Sequence, residues 1–112
     1  MFQKLAAGLN AAIGLIFVFI LTQASPALAA SASAKEGRQT YNTYCVLCHG
    51  SNLINTGSNA PDLRKFPLGQ KSRFVTSVAK GKGQGKMPAW GDILSSEQID
   101  KIWAYVKTRG KI

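Results

Sequence analysis

The chain has 112 residues, with 14 lysines and arginines against 5 acidic residues and a formal net charge of +9 at neutral pH. A chain this short accommodates one domain, and its core is small unless a disulfide, a metal or a bound group adds to it. The positive charge favours an acidic partner or an anionic surface, but the sequence has no run of five basic residues and no basic residues interleaved with aromatics, which argues against nucleic acid.

The first 29 residues have the pattern of a secretory signal peptide. Lys4 gives the segment a positive start, a long apolar stretch follows, and a small-residue pattern ends at Ala29. We expect cleavage after Ala29, although residues 30–32 offer a second site. The sequence therefore predicts an exported, periplasmic protein, with a signal peptide over residues 1–29 and a single domain over residues 30–112.

An uncleaved membrane anchor is the alternative interpretation of the same segment. Its most apolar stretch, residues 11–21, is about half of the ~20 residues that a spanning helix needs. We therefore expect no stable membrane insertion once the leader is removed. Export also implies an oxidising compartment, where cysteines usually pair, but two cysteines only three positions apart would make a strained bridge.

The first segment after the leader predicts a helix preceded by flexible chain. Residues 30–35 are small and polar and are expected to be flexible. Residues 36–49 repeat apolar or aromatic groups at the i, i+3, i+4, i+7 spacing of a helix that packs one face inward. The members of that stripe are Tyr41, Tyr44, Cys45 and Cys48.

Irregular chain and a short helix are expected in the middle of the sequence. Glycine, serine, asparagine and proline punctuate residues 50–69, where little regular structure is predicted. A short helix over residues 71–80 follows, and three glycines between 81 and 85 make the next loop mobile unless a contact holds it. The buried side of the short helix would comprise Phe74, Val75 and Val78.

The last predicted helix is amphipathic. Ser95 is a candidate N-cap, and Gln98 three residues later completes a capping box. The helix is expected to run to Arg109, with Gly110 at its C-terminal end. Since no strand pattern or internal repeat appears in the sequence, the predicted fold class is all-α. The buried stripe of this helix would comprise Ile99, Ile102, Trp103 and Val106.

The sequence Cys45-Val46-Leu47-Cys48-His49 carries the most specific signal in the chain. It matches the C-x-x-C-H signature of covalent c-type haem attachment. Two cysteines three positions apart lie near one side of a helical turn, so both thiols can add to the two vinyl groups on one edge of a porphyrin. The next residue, His49, then projects under the ring and reaches the iron. We therefore predict one covalent haem c, attached through Cys45 and Cys48 and ligated by His49.

Two other uses of such cysteines fit the sequence less well. A structural zinc site needs four protein ligands, whereas the chain holds two cysteines and one histidine. A thioredoxin-like redox pair shares the C-x-x-C spacing but belongs in a βαβ unit, which the helical pattern does not provide. Haem attachment is the remaining chemistry, and a haem would also supply apolar surface to a small core.

The second axial ligand follows by elimination. Met1 leaves with the signal peptide and the sequence has no second histidine, so Met87 is the one thioether of the remaining chain. It follows the glycine-rich loop over residues 81–86, which can bend to the far face of the haem, and Pro88 stiffens the chain beyond it. The alternative is a methionine that fills a gap between helices. Histidine–methionine ligation fills both axial positions and raises the reduction potential, which suits one-electron transfer.

The order of these features resembles the class I cytochromes c: a helix, C-x-x-C-H, irregular loops, a Met-Pro loop and a final amphipathic helix, across residues 34–109. The resemblance implies helices packed around one covalently bound haem, with the first and last helices crossing where a glycine meets an aromatic side chain. Gly37 and Tyr105 stand in the matching places. It also implies that a proline carbonyl, here that of Pro61, accepts a hydrogen bond from the Nδ1–H of the ligating histidine.

A narrower resemblance concerns residues 87–91, with the sequence MPAWG, and the Leu-Ser pair at 94–95. These residues are similar to those of exported cytochromes c that accept electrons from pyrroloquinoline-quinone (PQQ) alcohol dehydrogenases, including methanol dehydrogenases. The similarity implies a non-enzymatic carrier that takes electrons from such a dehydrogenase and passes them towards a terminal oxidase. Trp90 is expected in the core, with packing beside the haem as the alternative.

Three alternatives to that function stay open at the level of sequence. The first is a haem enzyme or gas sensor with an open axial site, which would require Met87 to be detached. The second is a general electron donor to an oxidase or another reductase. The third is an interaction module that an uncleaved leader holds at the membrane.

Seven basic residues, which we call the basic cluster, lie in one stretch without an intervening acid. They are expected either to surround the exposed haem edge and attract an acidic docking surface, or to form a solvated face in which one or two pair with haem propionates. An exported protein with this cluster is expected to bind redox proteins rather than nucleic acid. The members are Arg64, Lys65, Lys71, Arg73, Lys80, Lys82 and Lys86.

Overall fold

A computed structural model describes residues 20–112. Residues 1–19, most of the predicted signal peptide, lie outside the described residues, so the leader stays a prediction. Extended pairing across residues 20–112 is limited to one isolated bridge, between Lys82 and Met87, and the all-α prediction is confirmed. The described residues form four helices, α1 Pro26–Tyr44, α2 Val46–His49, α3 Lys71–Lys80 and α4 Ser96–Lys107, with 3₁₀ turns at Ser51–Leu53, Leu63–Lys65 and Trp90–Asp92.

Helix α1 begins earlier than the sequence pattern predicts. Residues 30–35, expected to be flexible, lie within α1, and Ala34 is buried. The expectation is wrong because the segment is rich in alanine, which has the highest intrinsic helix propensity. Pro26 suits the first turn, since its missing N–H needs no partner there. In the described part of the chain, every helix falls short of the length and apolar character that crossing a membrane requires.

Helices α1 and α4 cross in close contact, as the resemblance implies. The crossing is so tight that a Cβ atom on Gly37 would lie 1.8 Å from the Lys101 carbonyl oxygen. One turn further along α1, the rings of Tyr41 and Tyr105 meet edge to face at a centroid distance of 5.2 Å, and both side chains are fully buried. Glu36 and Lys101 form an ion pair of 2.5 Å at the same crossing. The missing side chain of Gly37 is therefore what lets the two backbones touch.

Helix α4 starts as the sequence predicts and ends slightly earlier. Ser95 Oγ accepts a hydrogen bond from the Gln98 N–H at 3.1 Å, and Gln98 Oε1 accepts one from the Ser95 N–H at 2.9 Å. This is the predicted capping box, and the whole predicted stripe of α4 is buried. The helix ends at Lys107 rather than Arg109, because Arg109 and Gly110 have left-handed φ angles of 59° and 77°.

An aromatic cluster joins α3 and α4. Helix α3 spans the predicted residues and buries Phe74 and Val78, while Val75 is half-buried. The Phe66 ring lies 5.6 Å from the Phe74 ring and 5.8 Å from the Trp103 ring. The same core includes Cys45, so the packed helices hold one of the two candidate attachment residues directly.

Candidate functional site

Cys45 and Cys48 lie on one turn between the end of α1 and the end of α2. The N–H groups of Cys48 and His49 donate to the Cys45 carbonyl at 3.3 and 2.9 Å, which coils the chain within this short segment. Cys45 is buried, Cys48 is exposed, and both thiols are free. The single helix predicted over residues 36–49 is therefore interrupted at Cys45, and α2 is a separate turn that carries the end of the motif.

The environment of Cys45 keeps its sulfur protonated. Burial is the main cause that raises the pKa of Cys45 to about 11, and the neighbouring Cys48 adds to the increase. Because the thiolate is the form that attacks a disulfide, a thiol with this pKa exchanges slowly at neutral pH. Burial therefore makes Cys45 a slow partner in disulfide exchange, and both cysteines are unbridged in the structure.

His49 is buried, with 7% of its surface exposed, and its ring orientation is set by one contact. Its Nδ1 lies 3.1 Å from the Pro61 carbonyl oxygen. A carbonyl oxygen only accepts hydrogen bonds, so the proton of the neutral ring sits on Nδ1 and the lone pair on Nε2. The structure thus brings Pro61 and His49 together and leaves Nε2 as the nitrogen able to bind a metal.

The loop that carries Pro61 is held by two residues that the sequence analysis does not single out. Asn55 Oδ1 accepts hydrogen bonds from the N–H groups of Gly57 and Ser58, at 3.1 and 3.0 Å. Asn55 Nδ2 donates to the Ala60 carbonyl at 2.5 Å, and the Ser58 hydroxyl donates to the Cys48 carbonyl. Asn55 and Ser58 therefore tie the loop to the attachment turn. The signal for them is the Asn-x-x-Ser spacing, since asparagine side chains commonly close turns on the next residues.

Met87 is half-buried at the end of a loop that is held rather than free. The Lys82 N–H donates to the Met87 carbonyl at 3.1 Å, and the Met87 N–H donates to the Lys82 carbonyl at 3.0 Å. The backbone of Gly81 also lies close to Met87: a Cβ atom on Gly81 would be 2.5 Å from the Met87 carbonyl oxygen. The φ angle of Gly81 is 75°, in the left-handed region that favours glycine. The glycines thus let the chain turn back on itself, and the paired backbone is the contact that fixes the loop.

Trp90 lies at the edge of the core rather than inside it. The side chain is half-buried and packs against the core residues. Its ring is 5.3 Å from that of Tyr44, with an angle of 59° between the planes. Tyr44 is 37% exposed, so the inward-facing stripe predicted for this segment is wrong for Tyr44 and Cys48 and right for Tyr41 and Cys45. The break at Cys45 changes the helical phase before Cys48, whereas Tyr44 lies within α1, at the flank of the face that buries Ala34, Gly37 and Tyr41.

The basic cluster is only partly neutralised. Arg64 pairs with Asp62 at 2.8 Å and Lys71 with Asp100 at 3.0 Å. Arg64 is the main cause that lowers the pKa of Asp62 to about 2. The Arg73 guanidinium lies 4.6 Å from the centre of the Phe66 ring. Within residues 20–112, no carboxylate lies within 4.0 Å of the remaining four members, which are Lys65, Lys80, Lys82 and Lys86.

The donor set at this site fits a haem c. Two thiols three residues apart and an imidazole with a free Nε2 share one turn, and a thioether is the softest remaining ligand of the chain. Nowhere in residues 20–112 is a group of three or more His, Cys, Asp or Glu side chains placed to hold a metal ion directly. A bound haem supplies reversible one-electron chemistry, while the chain positions it and tunes its potential.

Comparison with known proteins places this site in a family. The family described as "Cytochrome C oxidase, cbb3-type, subunit III" matches residues 32–106. Cytochrome c6 from Rippkaea orientalis is 35% identical over 99 residues, which cover 84% of this chain and 86% of the relative. No solved structure matches the chain.

The fold and the donor set define a class: small all-α proteins built around one covalently attached haem. With the family match, the chain belongs to the class I c-type cytochromes, and it is an electron carrier with one covalent haem c.

Two further relatives match only through part of their own length. The quinohemoprotein alcohol dehydrogenase ADH-IIG from Pseudomonas putida is 34% identical over 79 residues, which are 70% of this chain and 11% of that protein. The cbb3-type cytochrome c oxidase subunit FixP from Azorhizobium caulinodans is 34% identical over 82 residues, again 70% of this chain and 28% of the relative. Similar cytochrome domains thus occur within larger redox proteins of two different kinds.

Proposed function

We propose that this cytochrome is a periplasmic carrier of single electrons, from a PQQ-dependent alcohol dehydrogenase towards a terminal oxidase, and that it has no catalytic activity of its own. In this proposal the haem is attached through Cys45 and Cys48, and His49 and Met87 are its axial ligands. Residues 1–29 serve as the signal peptide. The partners are then redox proteins and not nucleic acid. The protein is not stably inserted in the membrane once the signal peptide has been cleaved.

The observation that carries the proposal is the contact between His49 Nδ1 and the Pro61 carbonyl, at 3.1 Å. It fixes the imidazole so that Nε2 is free, on the same turn as the two thiols. A hydrogen bond to the second nitrogen also makes the imidazole a stronger donor to iron. Buried histidines are normally hydrogen-bonded whatever their role, so what supports the proposal is that this contact lies beside two free cysteines on the same turn.

Ligation by Met87 supports electron transfer over the open-site alternative. The backbone pairing with Lys82 holds the Met87 segment in place, which favours a fixed ligand over a detachable one. His49 and Met87 would then hold the haem iron with no position left for a substrate or a gas, and the haem would supply one-electron chemistry. A haem enzyme or gas sensor would need that segment to open.

The proposed partners follow from the relatives and from charge. A cytochrome segment like this chain lies within a quinohemoprotein alcohol dehydrogenase in one relative and within a cbb3-type oxidase subunit in another. This likeness supports a donor and an acceptor of these two classes for a separate carrier of the same kind. A general electron donor to an oxidase is the second candidate, favoured by the description of the matching family.

The test is reduction of the ferric cytochrome by a purified PQQ alcohol dehydrogenase with its alcohol substrate, followed by stopped flow. We expect second-order reduction and subsequent reoxidation by a cbb3-type oxidase. No reduction by the dehydrogenase, together with rapid reoxidation by the oxidase, would instead favour the general donor. Carbon monoxide binding readily to the ferrous protein would contradict both and favour the open-site alternative.

The same assay tests the docking role of the basic cluster. Reversing Lys80, Lys82 and Lys86 to glutamate is expected to lower the second-order reduction rate at low salt by about tenfold or more, because charge attraction speeds encounter. The difference should shrink as salt screens the charges. The matched control reverses Lys35, Lys107 and Lys111, which are exposed and lie outside the cluster. Equal rates for the two triple variants would contradict docking through the cluster.

A further inference from the structure

The segment that carries Met87 is anchored to α3 on both sides. Before Met87, the backbone pairing with Lys82 joins it to the end of α3. After Met87, the 3₁₀ turn Trp90–Asp92 lies against the same helix, so closely that a Cβ atom on Gly91 would be 2.9 Å from the Ala79 carbonyl oxygen. These contacts fix the segment relative to α3, but neither of them joins it to the attachment turn that holds His49.

The aromatic pair of Tyr44 and Trp90 makes that second connection. Tyr44 is the last residue of α1 and immediately precedes Cys45, while Trp90 follows Met87 by three residues. Their ring centroids are 5.3 Å apart and the planes are tilted by 59°, a geometry within the range that aromatic pairs prefer. The pair therefore connects the end of α1, next to Cys45, with the segment that carries Met87.

We propose that Tyr44 and Trp90 are positioning residues that hold the Met87 segment against the attachment end of α1 and so set how rarely the Met87 sulfur leaves the iron. This inference rests on the proposed function, in which Met87 is the second axial ligand. The pair has no contact with the iron in this role. It acts on an equilibrium between a closed segment, with the sulfur in place, and an open one.

Aromatic pairs of this kind shift an equilibrium by roughly 2- to 12-fold beyond the effect of burial. An added ligand such as imidazole binds the iron only when the sulfur has left, so its apparent affinity is scaled by the open fraction. Loss of the pair should therefore tighten apparent imidazole binding by the same factor as it increases the open population.

The experiment titrates the ferric holoprotein with imidazole and follows the weak far-red sulfur-to-iron absorption. We expect Tyr44→Ala and Trp90→Ala each to tighten imidazole binding by about fivefold or more, and Trp90→Phe to restore most of the original affinity. In a double-mutant cycle, the effect of Tyr44→Ala should largely disappear once Trp90 is replaced, because the contact is then already lost.

Phe66→Leu is the matched control. It alters the aromatic cluster around Phe74 and Trp103, so it lowers the denaturation midpoint while leaving the imidazole affinity unchanged. If Trp90→Ala is too unstable to purify, Tyr44→Ala and Trp90→Phe still decide the matter, because Tyr44 is partly exposed and tolerates truncation.

The possible results separate the two proposals. Unchanged imidazole affinity in Tyr44→Ala, or an equal effect of that substitution with and without Trp90, would overturn the positioning role and leave Met87 as the ligand. Absence of the far-red absorption in the unsubstituted protein would overturn ligation by Met87, and the positioning role with it.

Discussion

Replacing Met87, the proposed second axial ligand, with leucine is expected to lower the haem reduction potential and to open the iron to carbon monoxide. Leucine has a similar volume and keeps the packing of the segment, so the change isolates the loss of the sulfur. Axial ligands set haem potentials across about 0.8 V, and a methionine opposite a histidine shifts the potential upward. We expect a fall on the order of 0.1 V or more in a redox titration, together with loss of the far-red absorption.

The control for this substitution is Lys86→Gln, at the exposed neighbour of Met87. It removes a charge without touching the sulfur, so the far-red absorption should persist and ferrous carbon monoxide binding should stay slow. A Met87→Leu protein that retained both the absorption and the potential would show that another group binds the iron.

Replacing Gly37 with alanine is expected to destabilise the fold by about 2 kcal/mol or more, through overpacking. Within a helix this change normally stabilises, by up to about 1 kcal/mol, because alanine has the better propensity. Here the added Cβ atom would lie 1.8 Å from the Lys101 carbonyl oxygen and 2.8 Å from the Ile102 nitrogen. Helices α1 and α4 would have to separate to make room for it. The cost of this clash exceeds the gain in helix propensity, so the substitution destabilises the protein instead of stabilising it. Chemical denaturation of the holoprotein measures the difference.

Gly69→Ala is the matched control for the helix crossing. Nothing lies within 4 Å of the Cβ position at Gly69, so its free energy of unfolding should change little. A Gly37→Ala protein as stable as this control would mean that the crossing can loosen without cost, contrary to the packing of Tyr41 against Tyr105.

The parts of the fold that could be predicted are those fixed by local chemistry. The capping box of Ser95 and Gln98 and the buried stripe of α4 follow from residue types at helical spacing, without reference to distant contacts. The boundaries of α3 follow in the same way, since its end at Gly81 is set by a glycine. The attachment motif is equally local, because five consecutive residues carry it.

The parts that could not be predicted depend on contacts between distant residues. The Met87 loop looks mobile in the sequence because of its glycines, yet those glycines allow the pairing with Lys82 that holds it. The sequence predicts an irregular loop before Pro61, although Asn55 and Ser58 give this loop a defined set of hydrogen bonds. The break at Cys45 lies within a continuous helical pattern, so the outward position of Cys48 is visible only in the folded chain.

The distribution of charge in the basic cluster supports the proposed electron transfer to and from acidic partners. Pairing with Asp62 and Asp100 occupies Arg64 and Lys71, whereas the lysines flanking the Met87 loop have no such partner in the described residues. These unpaired charges lie near the segment proposed to bind the iron. An acidic partner attracted to them would therefore approach the haem side of the molecule, which shortens the path for electron transfer.

The mass of the purified holoprotein, measured under denaturing and disulfide-reducing conditions, tests the haem attachment most directly. Attachment through two thioethers predicts the mass of the polypeptide plus one haem, and a single haem-bearing peptide in which neither Cys45 nor Cys48 reacts with an alkylating agent. A polypeptide without haem mass, or two cysteines that alkylate freely after the pigment is extracted, would contradict it.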